Sequence, residues 1–199
     1  MRKMFLLLLA FLLSGRAISQ SNGWFVPGET PTTSTLNDIC TLTADTAIAV
    51  GDNGVILKTT DGGISWIVLS GGTSVHLQSV YFVNSKIGWA VGRDRTILKT
   101  LDGGETWAQQ FSTMANRHGY DVFFINATTG WNVCRDDWPG YVAIVYRTSN
   151  GGNSWNSTLT GVGDNLNSLH FANTLLDGLS ETAVLSSKLL MAALIGHRN

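Results

Sequence analysis

The sequence predicts an all-β protein, a fragment of a β-propeller with three four-stranded blades and part of a fourth. Three observations lead to that class. A stretch of chain repeats itself without a gap, a glycine-rich turn closed by tryptophan recurs three times, and glycine is abundant (22) while proline is scarce (3). Internal periodicity is the first of these to weigh, because a period of 20–50 residues marks solenoids, propellers and arrays.

The repeat is read directly from the chain. Leu36 to Trp66 aligns residue by residue with Leu77 to Trp107, an offset of 41. A third copy runs from Tyr120 to Trp155 with an insertion around Arg135 to Tyr141, and a fourth begins at Leu166. Each copy divides into four short strand-like stretches, in the second copy Ser79–Val83, Gly88–Val91, Thr96–Thr100 and Ala108–Phe111. Four strands at this period make one propeller blade, a small sheet that buries its faces against its neighbours. The blades are accordingly expected at 36–76, 77–118 and 119–165, with the fourth starting at 166 and the repeat ending at 174.

The strongest local signal is the turn, seen as TTDGGISW, TLDGGETW and TSNGGNSW. The residues that define it are Thr59, Asp61, Gly63 and Trp66, then Thr100, Asp102, Gly104 and Trp107, then Thr148, Asn150, Gly152 and Trp155. A short acid or amide accepts backbone N–H groups two residues on, and the glycines admit the positive φ that such turns require. The tryptophan adds apolar area that clamps the turn to the blade. These groups are expected to be structural, since each acid stands alone in a repeated turn and the third copy uses Asn. All three fit S/T-x-D/N-x-G-x-S/T-W, the Asp-box of BNR-type propellers. The strand GWAVG (Gly88–Gly92) recurs as IAVG and GWNVC and reads as blade core.

With GWAVGRDRTILKTLDGGETW in view, the chain resembles the photosystem II stability and assembly factor family over about Leu36 to Thr174. The resemblance implies an exported or lumenal seven-bladed propeller that binds a protein partner; no cofactor is expected. In photosynthetic members an arginine-rich surface is linked to partner binding, and that implication falls on Arg93 and Arg95, between the second and third strands of the second blade. Two rivals are a fragment of a sialidase-like glycan-processing enzyme, which also carries Asp-boxes, and a segment of a surface adhesin. The enzyme needs an arginine cluster, a Tyr with a Glu partner and an acidic Asp, a set these residues do not supply. His76, His118, His170 and His197 lack metal-ligand spacing, and neither a catalytic nor a metal-binding residue is predicted.

Charge and termini bound the setting. A formal net charge of −1 gives no long-range field for nucleic acid. The start, MRKMFLLLLAFLLSGRAIS, has a basic head, a ten-residue apolar run and Ala17 and Ser19 in the arrangement a signal peptidase cleaves, so residues 1–19 are expected to be a signal peptide cut before Gln20. The run is about half the roughly 20 residues a membrane span needs. Residues 20–35 form a leader, and the protein is expected to be secreted or periplasmic. Cys40 and Cys134 fall at different blade positions and are expected to be unpaired, core-packed thiols. Asn126-Ala-Thr128 and Asn156-Ser-Thr158 match a glycosylation acceptor pattern that is short and common.

Residues 175–199 carry no Trp and no Asp-box, and read either as a helical or unstructured tail or as the product of a frameshift. When each codon takes the third base of one residue and the first two of the next, the tail can be read as TGWAVGDSGIIIKTTNGGTNWTSQ. The single Met191 codon and the GC that opens the Ala192 codon make the glycine after Asp/Asn obligatory in that frame. The nucleotide sequence checks this: codons whose shifted frame gives GWAVG and an Asp-box are expected, and codons that do not give them exclude a frameshift.

Overall fold

The structure, a computed structural model, describes residues 31–110, 118–135, 143–162, 168–171 and 183–186. Three sheets of four antiparallel strands follow one another along the chain. The first holds β1 (Leu36–Thr41), β2 (Ala47–Gly51), β3 (Val55–Thr59) and β4 (Ile67–Ser70). The second holds β5 (Leu77–Phe82), β6 (Gly88–Gly92), β7 (Ile97–Thr100) and β8 (Ala108–Gln109), and the third β9 (His118–Phe124), β10 (Gly130–Arg135), β11 (Ala143–Thr148) and β12 (Asn156–Val162). In each sheet the spatial order is the chain order, which is the meander of a propeller blade.

Burial grades across each blade. The second strands are buried along their whole length in the first two blades, AIAVG in β2 and GWAVG in β6. A strand with a neighbouring sheet on either side has no solvent face, so the ordinary alternation of polar and apolar residues disappears. The first strands alternate partly, as in LQSVYF of β5, and the last strands β4 and β8 are largely exposed. The first strands β1, β5, β9 and β13 (Ser168–Phe171) lie beside one another, so the blades radiate from them.

The blades are joined by two apolar clusters. Ile48, Val50 and Ile56 of the first blade meet Leu77, Val80, Phe82, Ala90 and Leu98 of the second. Trp89, Val91 and Ile97 of the second then meet Val122, Phe124 and Trp155 of the third. Trp89 stacks on Phe124 with centroids 3.5 Å apart and planes 5° from parallel. Polar bonds run along the same joints: Asp38 accepts the Val80 amide at 2.9 Å, and Asp121 accepts the Ser79 hydroxyl at 2.9 Å.

The fourth sheet pairs β13 with β14 (Ala183–Ser186), two antiparallel strands. Part of the stretch expected to be helical or unstructured is therefore a strand. The edge of β13 presents unpaired N–H and C=O groups, and a segment that pairs with them satisfies its own backbone as well. The remainder of 175–199, the signal peptide and leader up to residue 30, and most of the insertion at Arg135 to Tyr141 lie outside the described residues. Cys134 is buried, Cys40 is half-buried, and the two are not bonded to each other. Among the described residues no helix is long and apolar enough to cross a membrane.

The joint between the second and third blades gives the first stability test. Trp89 is fully buried, so Trp89→Ala removes both its stacking and its volume and is expected to cost about 3–5 kcal/mol, measured by chemical denaturation. Exposed Leu101→Ala, on the same blade, is expected to change stability by less than about 0.5 kcal/mol.

Candidate functional site

The three Asp-box turns sit at one end of successive blades, between the third and fourth strands. In the first, the Thr59 hydroxyl is the hub. It accepts the Gly63 amide at 2.9 Å and donates to Asp61 Oδ1 at 2.8 Å. Asp61 then accepts the Ser65 amide at 2.9 Å and the Ser65 hydroxyl at 2.6 Å. The second turn repeats this with Thr100, Asp102, Gly104 and Thr106, at 2.9, 2.7, 3.0 and 2.6 Å in the same order. The acid therefore bonds to the residue four on, and the bond two residues on comes from its own amide to the threonine hydroxyl, 3.4 Å in the first turn. Threonine and acid thus share the bonds of the turn differently from the expectation that the acid accepts amides two residues on.

In the third turn Asn150 does the same with an amide. Its Oδ1 accepts the Ser154 amide at 2.9 Å, while its Nδ2 donates to the Ser154 hydroxyl at 2.8 Å. A hydroxyl that donates to a carboxylate accepts from an amide by rotating its hydrogen. The tryptophans close the corner. Trp107 donates its indole N–H to the Gly104 carbonyl at 3.0 Å and Trp155 to Gly152 at 3.1 Å. Both meet the phenylalanine of their own blade's first strand edge-on, Phe82 and Phe124, at 5.9 Å.

Two lysines that the sequence reading passed over lock the second and third turns to the blades before them. Lys58 donates to the Gly103 carbonyl at 2.9 Å and pairs with Glu105. Lys99, at the same place one blade on, donates to the Gly151 carbonyl at 3.0 Å, beside the Trp89 indole N–H at 3.1 Å. The signal was present in the repeated ILKT of β3 and β7, but it points across to another blade, which local spacing does not display.

Arg93 and Arg95 lie at the opposite end of the second blade, in the turn joining β6 to β7, and both are exposed. Asp94 and Arg95 have φ of 52° and 61°, and the Thr96 amide donates to the Arg93 carbonyl at 2.9 Å. This is a type I′ hairpin, whose two central residues must both be left-handed. The first blade makes the corresponding turn with Asn53 and Gly54, at φ 58° and 70°. Arg135 stands one blade on from Arg93, since it follows the strand GWNVC as Arg93 follows GWAVG. It stacks over Tyr120 at 4.3 Å and donates to its hydroxyl at 2.6 Å. His76 precedes β5 and His118 opens β9 at this same end. His76 Nδ1 lies 2.8 Å from Asp52, and His118 accepts the Asp94 amide at 3.0 Å. Hydrogen bonds from Asn37, then from His76, hold the Asp52 carboxyl below its ordinary pKa.

The Asp-box acids carry a pH signature. Donation from Ser65, then from Thr59, lowers Asp61 from 3.8 to about 2, and donation from Thr106, then Thr100, does the same for Asp102. A carboxyl with a depressed folded-state pKa stabilises the fold above its unfolded pKa and loses that contribution as pH falls through the folded value. Melting temperature is therefore expected to fall between about pH 4 and pH 2. Asp61→Asn with Asp102→Asn, which gives both turns the amide that Asn150 supplies in the third, is expected to keep the fold and flatten that slope, as followed by circular dichroism melts.

Among the described residues no group of three His, Cys, Asp or Glu is placed to hold a metal ion. Asn126 is engaged in its turn, accepting the Thr128 and Thr129 amides at 2.9 and 2.8 Å.

Residues 17–161 match the profile of the family described as photosynthesis system II assembly factor YCF48. A solved structure, YCF48 bound to D1 peptide, is 26% identical with a TM-score of 0.56, over 67% of this chain and 44% of that one. YCF48 from Cyanidioschyzon merolae shares the fold at 24% identity and a TM-score of 0.54, over 65% and 41%. The chain thus spans less than half the length of the solved structures it matches, and no curated protein sequence matches it. With its Asp-box blades and a match over most of its length, the chain belongs to the YCF48 photosystem II assembly factor family.

Proposed function

We propose that this chain is an exported, non-catalytic propeller module that binds a segment of a protein partner through the basic end of its blades, with Arg95 as a principal contact. The observation that carries this is the backbone of Arg95. A left-handed residue costs about 1–2 kcal/mol with a Cβ. The first blade avoids that at the same position with Gly54, where the Thr73 carbonyl would lie 2.1 Å from any Cβ. The second blade bears the strain with arginine, exposed to solvent. Strain retained at an exposed turn is the mark of a residue kept for what its side chain meets.

The chemistry of that meeting is acidic or carboxylate-terminated. Arg93 and Arg95 share one turn, and a guanidinium recognises a carboxylate in a two-pronged geometry. The solved relative bound to D1 peptide supports a peptide as the kind of partner. The Asp-box acids are taken up by donors from their own turns, which supports a structural role for them over acid–base chemistry. Export rests on the amino-terminal segment and is checked by the mature amino terminus of secreted protein.

A D1 peptide titrated against the chain, read by fluorescence anisotropy, tests the reading. Arg95→Gly is expected to weaken binding about tenfold while leaving stability unchanged or raised by up to about 1 kcal/mol. Added salt is expected to weaken the wild-type complex more than the variant's. Binding that is indifferent to Arg93→Glu and Arg95→Gly excludes this surface.

A further inference from the structure

The second and third blades each open on a histidine. His76 stands immediately before Leu77, which faces Gly92, and His118 immediately before Gly119, which faces Cys134 at the same register. Both side chains reach the hairpin between the second and third strands of the blade before. His76 Nδ1 lies 2.8 Å from Asp52 Oδ1, and His118 Nδ1 lies 3.0 Å from the Asp94 amide nitrogen. The two contacts make opposite demands on the same ring atom. A carboxylate accepts a hydrogen from Nδ1, which both a neutral ring protonated there and the imidazolium supply. An amide N–H donates to Nδ1, which only the neutral ring with its proton on Nε2 accepts. The contact of His76 therefore outlasts protonation, and that of His118 does not.

The Asp94 amide belongs to the strained turn. Asp94 and Arg95 are both left-handed, and such a conformation persists only where surrounding bonds over-determine it. The Thr96 amide closes the hairpin on the Arg93 carbonyl at 2.9 Å, and the Arg93 amide ties it to the His76 carbonyl at 2.9 Å. The hairpin's own bond joins its first and last residues and leaves the Asp94 amide without an acceptor inside the turn. His118 supplies one from the next blade. The first blade turns through Asn53 and Gly54, and there the histidine goes to the Asp52 carboxylate instead. The bond from imidazole to backbone is thus found at the turn where arginine stands in place of glycine.

The charges about His118 are mixed. The Asp94 carboxylate lies 3.9 Å from the same Nδ1, and the His118 side chain is 14% exposed. Arg93 and Arg95 share the turn with Asp94, and Arg135 is the residue opposite His118 on β10, stacked over Tyr120 of β9. Asp121 of β9 is taken up by Ser79, and Tyr81 of β5 packs on Phe123. β6 brings no acid or base, and β13 carries His170. We propose that His118 is a proton-sensitive latch on the turn that carries Arg95, holding it for the partner while neutral and releasing it when protonated. A proton taken from solvent makes Nδ1 a donor that faces the N–H of Asp94, so their bond is lost. The Asp94 carboxylate then accepts from Nδ1, and the turn moves to reach it. The latch rests on the reading of Arg95 as a partner contact. Its sign differs from that of simple charge: an added imidazolium beside an acidic segment tightens binding, whereas a loosened turn weakens it. Histidine changes charge between about pH 5 and pH 8, above the range in which Asp61 and Asp102 titrate.

Two readouts on the full chain test the latch. In proton–nitrogen NMR spectra the Asp94 amide is expected to shift with the same midpoint as the His118 ring. Affinity for a D1 peptide, read by fluorescence anisotropy at constant salt, is expected to fall about fivefold from about pH 7.5 to about pH 5.5, the worth of one net hydrogen bond. His118→Asn places an Oδ1 acceptor near the position of Nδ1 and does not titrate, so it is expected to remove the pH dependence of both readouts, with circular dichroism melts confirming its fold. His76→Asn is expected to leave the Asp94 shift titrating. The proposal is overturned by an Asp94 amide that does not follow the His118 ring, or by a pH dependence that survives in His118→Asn. It is also overturned if affinity stays level or rises on acidification while Arg95→Gly still weakens binding. Binding indifferent to Arg95→Gly overturns the partner reading and the effect on affinity with it, and the NMR titration, which needs no peptide, still decides whether His118 holds the turn.

Discussion

A sheet of four short strands has two apolar faces and no second layer of its own, so it is stable only between neighbours. That constraint explains the middle strands. Trp89, Val91 and Ile97 look one way and Val80, Ala90 and Leu98 the other, and each set is buried only because another blade lies against it. The lysines act within the same constraint. Lys99 reaches the Gly151 carbonyl because stacking of Trp89 on Phe124 has already set the distance between the sheets. A glycine carbonyl at a turn is otherwise left to water, and in the joint it meets an ammonium and an indole N–H together.

The two ends of a blade do different work. At the Asp-box end the chain is saturated with its own bonds, and the acids, hydroxyls and indoles are committed to the corner. At the other end the type I′ turns project side chains, and the pair at the turn is Asn-Gly in the first blade and Asp-Arg in the second. Membership of the YCF48 family fits this division, since one frame common to the blades supports a surface that differs from blade to blade.

Much of the frame was legible in the chain because it is local and repeated. The offset between Leu36 and Leu77 located the strands, and the Thr-x-Asp-x-Gly spacing located the corners. What escaped was non-local. Lys58 and Lys99 find their acceptors 45 and 52 residues away. Arg135 was hidden because the insertion that follows it obscured the register with Arg93. Pairing of Ala183–Ser186 with β13 was masked by an apolar pattern that suits a helix, and the open strand edge decided otherwise. The strain at Arg95 was invisible as well, since a sequence records the residue and not the sign of its φ.

The hydrogen bonds of an Asp-box begin and end within eight residues, from Thr100 to Trp107 in the second blade. A stretch of DNA that encodes such a corner carries its folding instructions whole. Copied in tandem, it yields a new blade whose corner bonds are already complete, leaving natural selection to adjust only the contacts between blades. An architecture assembled this way grows by duplication and tolerates drift on its loops for as long as those corners survive.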